Sequence, residues 1–432
     1  MTEETPENNV VSESRDRKSD SKMMDHRHRI YLTSCLYLVG FLDLFGVGML
    51  VPLLPRHARN LGASPILVGA VGSVYGFLQL VSGPVMGRLS DMMGRRLVLL
   101  ACLFMTMVGY TINIFATSLT VLICARVPLG IFKHGIATVK AYLAEITPKQ
   151  ERPLVFGRFN AASSFGFIIG PLCGGYLSEY EGGFYQVATC TAIVFAINVL
   201  FVYFLVHPKK QDSIEKSKSV AAFTQEEYSI RTNFFHSFKT ILGSCGDLLL
   251  LQLLMSSGVM LYRSNFVLIL EDRFQARPSV TGQLMSFSAL VAVVSGMLVG
   301  RVVSFYSSIS KLLLHSSVLL CFTLFGLTYA PTFFVVVVFT ALLSMENAIS
   351  KVCLTDLSVR RSSLDNTGAL LGISQSVLSV TRSFAPFISG FMLEFGPYAP
   401  GLTGVCCAAI SSLFIIIFPP ERATIASEKK SD

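Results

Sequence analysis

PILVGAVGSVYGFLQLVSGPV, residues 65–85, carries no charged residue; MGRLSDMMGRR, residues 86–96, carries four; LVLLACLFMTMVGYTINIF, residues 97–115, again carries none. About 20 apolar residues at 1.5 Å each cross the hydrocarbon core of a bilayer. The charged turn between these two runs cannot follow them into lipid. The pattern is a membrane-spanning hairpin. Lipid offers backbone groups no hydrogen bonds, so the spans must be helices or closed-barrel strands. Uninterrupted apolar runs lack the alternation of a barrel strand.

The same pattern recurs along the chain. Apolar stretches lie at 30–54, 65–85, 97–115, 119–143, 154–177 and 184–206, then at 248–270, 280–303, 312–330, 332–354, 370–393 and 398–418. Only 14% of the 432 residues are charged, against about 25% in soluble domains. The reading is an all-α membrane protein of twelve transmembrane helices in two six-helix bundles, at 30–206 and 241–419. Residues 1–29 read as a polar cytosolic tail, 207–240 as a basic cytosolic linker and 420–432 as a second cytosolic tail.

The net charge of +8 sits between apolar blocks. It fits membrane orientation rather than nucleic-acid binding. Arg88, Arg95 and Arg96, then Lys149 and Arg152, and later Arg360 and Arg361 follow even-numbered spans, which places both termini in the cytosol. Arg56, Arg59, Arg273 and Arg277 weaken the contrast, because they fall in the opposite loops. Nine of the ten cysteines lie in apolar blocks, and none forms a metal-ligand spacing with histidine. No metal or cofactor is expected. No phosphate-binding Walker pattern and no Ser-His-Asp arrangement stands out, so neither ATP-driven pumping nor enzyme chemistry is expected.

An internal repeat divides the chain. A shift of 213 pairs Gly69 with Gly282, Ser82 with Ser295, Gly83 with Gly296, Gly87 with Gly300 and Arg88 with Arg301. A shift of 215 pairs Gly157 with Gly372, Pro171 with Pro386 and Gly175 with Gly390. Parallel six-helix repeats place a substrate site near mid-membrane, between the halves.

Gly87-Arg-Leu-Ser-Asp91-Met-Met-Gly94-Arg95-Arg96 follows the second span. It resembles the loop signature of the major facilitator superfamily. Glycines at 87 and 94 permit a tight turn and close helix approach. Asp91 can face a helix N-terminus of the other half, while Arg95 and Arg96 hold that acid and Glu145. The set is expected to latch an outward-open state. In the second copy Ser304 and Ser307 replace the acid and the glycine. The fifth span carries Gly157, Gly166, Gly170, Pro171, Gly174 and Gly175, a pattern similar to the fifth-helix signature of antiporters in that superfamily. Asp43-Leu-Phe-Gly46 in the first span and Arg126-x3-Gly130 in the fourth resemble drug/proton antiporters, including tetracycline carriers. Segments such as Gly130-Ile-Phe-Lys-His134 and Glu151-Arg-Pro-Leu-Val155 are similar to an orphan branch of the superfamily. The resemblance spans Tyr31 to Pro419 and implies transport without naming a substrate.

Charges inside a span each need a partner or water. Asp43, Lys133, Glu346 and Arg382 lie near mid-depth. They read either as cavity groups or as static buried ion pairs. Arg126, Lys133 and Lys140 recur every seven residues, which aligns them on one helical stripe. Lys140 reads equally as a snorkelling lysine, and His134 as a packing histidine or a proton site. Arg263 reads as approaching the outer interface.

The expectation is therefore a monomeric carrier of a small organic solute in the lipid bilayer, working by alternating access. Proton-coupled antiport through Asp43 or Glu346 is the leading reading, with Arg126, Lys133, His134 and Arg382 facing the cavity. A uniporter, or a transporter-like receptor or scaffold, is the alternative. The ending Lys429-Lys430-Ser431-Asp432 resembles a dilysine retrieval signal, implying an internal membrane such as the endoplasmic reticulum; a solubilising tail is the other reading.

Overall fold

A computed structural model describes residues 29–148, 150–206, 242–243, 245–306, 308–361 and 367–420. The two polar tails, the 207–240 linker, Ser307 and the dilysine ending lie outside the described residues. The described chain is helical. In order the spans are α1 (Arg29–Asn60), α2 (Pro65–Met93), α3 (Arg95–Ile114), α4 (Leu119–Ile146), α5 (Arg152–Leu177) and α6 (Gly183–Leu205). The second set is α7 (Cys245–Ser264), α8 (Pro278–Ser304), α9 (Ile309–Thr328), α10 (Phe333–Arg361), α11 (Thr367–Leu393) and α12 (Ala399–Ile417). All but α5 are both long and apolar enough to cross a membrane. In α5 the glycines, serines and Asn160 dilute the apolar residues.

Local chemistry sets the ends. Pro65 at the first turn of α2 follows Ser64, whose side chain accepts from the Leu67 N–H. Ser118 and Ser308 cap α4 and α9 in the same way. Gly94 joins α2 to α3 at φ +92°, a conformation that an L side chain rarely adopts.

The two halves have separate cores. One core runs from Leu32 to Val206, and another from Leu248 to Ile415. Their packing repeats: α3 packs on α6 and α4 in one half, as α9 packs on α12 and α10 in the other. Hydroxyls join helices within the second half, where Ser317 meets Ser411 at 2.6 Å and Ser412 at 2.9 Å. Large apolar side chains on the outer faces, such as Phe104, Phe322 and Ile410, are exposed, as lipid-facing residues are.

The halves meet along two seams, α2 against α11 and α5 against α8. A side chain added at Gly69 would strike the Pro386 carbonyl, and one at Gly390 the Pro65 carbonyl. Across the other seam, Gly282 lies on the Pro171 carbonyl and Gly175 on the Pro278 carbonyl. The repeat pairs these residues with one another, so one contact is made twice about a pseudo-twofold axis. Gly87, Gly157, Gly296, Gly300 and Gly372, at the other ends of these helices, have open space where a Cβ would stand. The molecule is thus sealed at the Arg56 end and open at the Arg95 end.

Candidate functional site

The fourth helix breaks in mid-span. It runs from Leu119 to Phe132, leaves helical geometry at Lys133 and His134, and resumes from Gly135 to Ile146. The expected stripe of Arg126, Lys133 and Lys140 is therefore corrected: seven-residue spacing aligns side chains only along an unbroken helix. Breaking a helix orphans carbonyl groups. Here α2 supplies the donors. Gln79 Nε2 donates to the Lys133 carbonyl at 3.0 Å and Ser82 Oγ to the Gly130 carbonyl at 3.3 Å. Ser82 also meets His134 Nε2 at 2.9 Å.

The break turns Lys133 toward α1, where its ammonium pairs with Asp43. Asp43 is 2% exposed. Lys133 Nζ also stands 4.3 Å from the centre of the Phe195 ring. Sequence reasoning brought Asp43 and Lys133 to similar depth, and the fold makes them partners. Arg126 is buried apart from them, donating to Asn113 Oδ1 at 3.2 Å. Glu346 is 1% exposed and accepts from Ser350, which also meets Ser316 at 3.0 Å.

A cavity of about 690 Å³ opens between the halves, lined by α1, α5, α7, α8 and α10. Gly157 lines it, as do Asn160, Ser164, Ser288 and Thr340. Asp43, Arg126, Lys133, His134, Glu346 and Arg382 do not line it in this conformation. The cavity reading is corrected for Asp43, Lys133, Arg126 and Glu346 in this conformation: the side-chain partners they have lie inside one half rather than between halves. Arg382 is exposed on α11, with Ser379 Oγ at 3.4 Å. The residue that sequence reasoning missed is Arg263. It lines the cavity rather than the outer interface and donates to Ser288 Oγ at 3.1 Å.

Asp91, Arg95 and Glu145 come together at the open end. Arg95 lies 2.5 Å from Asp91 and 3.2 Å from Glu145. All three belong to the first half, and among the described residues no ion pair from Asp91 crosses to the second half. Arg96 does not join them; it donates to the Tyr203 carbonyl at the end of α6, 2.6 Å away. Gly94 occupies the turn, but a Cβ built at Gly87 would meet nothing within 4 Å, so no close helix approach requires a glycine there in this conformation. In α5, Gly166, Gly170 and Gly174 lie on the backbone of α1 at Phe41, Phe45 and Met49, while Gly175 lies on α8.

At the sealed end, two ion pairs cross between halves among the described residues. Arg56 pairs with Glu271 at 3.2 Å and Arg59 with Asp272 at 2.5 Å. These arginines blurred the charge asymmetry of the loops because they serve this contact. Arg273 is used differently, donating to the Thr328 and Ala330 carbonyls at the end of α9.

The sequence profile of the Major Facilitator Superfamily matches residues 36–386. The chain belongs to the major facilitator superfamily. It is a multi-pass secondary transporter and not an enzyme. Among its relatives, human solute carrier family 67 member A1 is 26% identical over 397 residues, covering 88% of this chain and 90% of that protein. Multidrug resistance protein 2 of Bacillus subtilis (strain 168) is 23% identical over 398 residues, covering 91% and 94%. A crystal structure of a bacterial homologue of the human lysosomal transporter Spinster, inward-facing and unoccupied, shares the fold with a TM-score of 0.72 at 14% identity; the match covers 93% of this chain and 98% of that one.

Proposed function

We propose that the chain is a proton-coupled antiporter for a small organic solute, working as a monomer by alternating access. The carrying observation is the symmetric glycine seal at one end with a cavity open at the other. Bundles 30–206 and 241–419 rock about these seams, and the 207–240 linker joins them. The excess of basic residues at the Arg95 end supports a cytosolic side for that end and for both termini, and on that reading the open cavity faces inward. The short segments quoted above support kinship with the orphan branch.

The complete α5 pattern supports antiport, because each matched glycine from Gly166 to Gly175 sits on a neighbouring helix backbone. Asp43 is the proton candidate. It sits beside the α4 break, paired with Lys133, a counter-charge that movement of the broken helix would withdraw. Counterflow of labelled solute in proteoliposomes tests the reading, and an imposed pH gradient should accelerate it. One observation favours a uniporter: both intramembrane acids are shut away from the cavity. Counterflow indifferent to the pH gradient would decide for that alternative, and absent counterflow would remove both.

A further inference from the structure

We infer that the cavity binds an organic carboxylate, with its anionic head on Arg263 and its apolar body between α5 and α8. The inference deepens the transport reading and depends on it for the route, but not for the binding.

Arg263 is the one charged residue among those lining the cavity, and its side chain is exposed to that space. Its partner Ser288 lies six residues beyond Gly282, about two helical turns past the seal. The guanidinium therefore stands near the blind end, where a ligand entering from the open side would stop. A guanidinium carries five N–H donors in a fork that matches a carboxylate. One donor is used, on Ser288 Oγ, and that hydroxyl is itself held by Ser344 at 2.8 Å. No acid lies within ion-pair distance of Arg263 among the described residues. Glu346 lies farther off, and its 1% exposure and its bond with Ser350 keep it from a ligand.

Charge segregation extends this asymmetry. The mid-span acids Asp43 and Glu346 are buried, and the cations Arg126 and Lys133 are spent on partners inside the first half, whereas Arg263 is exposed. Along the described cavity wall a cationic solute would meet no counter-charge, and an anion would meet one. The remaining wall, including Phe167, Met285 and Ala292, is largely apolar. Its volume of about 690 Å³ falls in the range of small-molecule sites. A soluble acid and a fatty acid of the bilayer share this chemistry.

The test is binding of labelled 4-phenylbutyrate to the purified full-length protein, with the matched amide and amine as competitors. The amide and amine should compete at least tenfold more weakly than the acid, since charge-assisted bonds are about twice as strong as neutral ones. Arg263→Gln should weaken the acid at least tenfold, and Arg263→Lys should fall between, keeping charge but losing the fork. Ala292→Trp should block phenylbutyrate while Arg263 remains. Oleate competing more strongly than phenylbutyrate would support the site and place its source in the bilayer. An amine that competes as well as the acid, or wild-type affinity in Arg263→Gln, overturns the inference. If Arg263→Gln is not monodisperse, Arg263→Lys and Ala292→Trp decide. Arg263-dependent binding without counterflow would keep this site and remove the transport reading. Counterflow insensitive to Arg263 would do the reverse.

Discussion

Arg59 and Asp272 grip each other through two hydrogen bonds, of 2.5 and 2.8 Å, and stand 213 positions apart. That separation is the shift that superposes the two halves of the chain. The two residues are therefore equivalents in the repeat, and meet where the pseudo-twofold axis leaves the sealed end. One copy became basic and its equivalent acidic, so symmetry-related positions attract.

Breaking this pair should loosen the seal without unfolding either half. The side chains are 33% and 50% exposed, and exposed pairs contribute about 0.2–1 kcal/mol. Asp272→Asn should raise labelling of a cysteine placed at Thr281, beneath the seal, by about two- to fivefold with a membrane-impermeant reagent. The swap Arg59→Asp with Asp272→Arg should restore protection. Unchanged labelling in the single variant removes the gate.

The glycine seams give a sharper contrast. Gly282→Ala puts a methyl on the Pro171 carbonyl, whereas Gly296→Ala meets nothing within 4 Å. Gly282→Ala should shift the molecule away from the present conformation and raise labelling at Thr281→Cys. Gly296→Ala should leave that labelling at the wild-type level. Equal behaviour of the two would show that the seam is not a seal.

Asp43 and Lys133 separate stability from coupling. Asp43→Asn leaves a buried lysine without its acid, a loss of about 3–5 kcal/mol, visible as a lower melting temperature. Lys133→Met added to Asp43→Asn should recover most of that stability. It should not recover dependence of counterflow on the pH gradient, because no titrating carboxyl remains there. Glu346→Gln should reduce proton coupling less. Coupling that persists in the double variant but disappears in Glu346→Gln would transfer the proton role to Glu346.

Asp91→Asn tests the latch. In the present state Asp91 is bonded inside its own half and its side chain is 58% exposed. Melting should change by less than about 1 kcal/mol, as for other exposed pairs. Counterflow should nonetheless slow if Asp91 bonds across the halves in the opposite conformation. An unaltered rate would leave Asp91 as a turn residue only.

Much of the fold was legible because bilayer crossing imposes a strong, local constraint. Apolar length marked the spans, and the 213 and 215 shifts picked out Gly69, Gly282, Gly175 and Gly390, all of which lie in the seal. The glycine-proline pattern of α5 was likewise readable, since only glycine allows so close an approach to α1 and α8. The candidate site was less legible. Periodicity assumed α4 to be continuous, and its break at Lys133 depends on donors from Gln79 and Ser82 of another helix.

By itself the sequence determined an all-helical, twelve-span chain in two related halves, because hydrocarbon excludes charge and demands internally bonded backbone. It also determined which residues were small enough for helices to touch. Only the tertiary structure decided which charges neutralise one another and which face open space. Asp43 is consumed by Lys133, Glu346 is closed in among Ser350 and Ser316, and Arg263 is left facing the cavity. The physical reason is that depth in a membrane follows from position along one helix, whereas a partner follows from the rotation and contact of two.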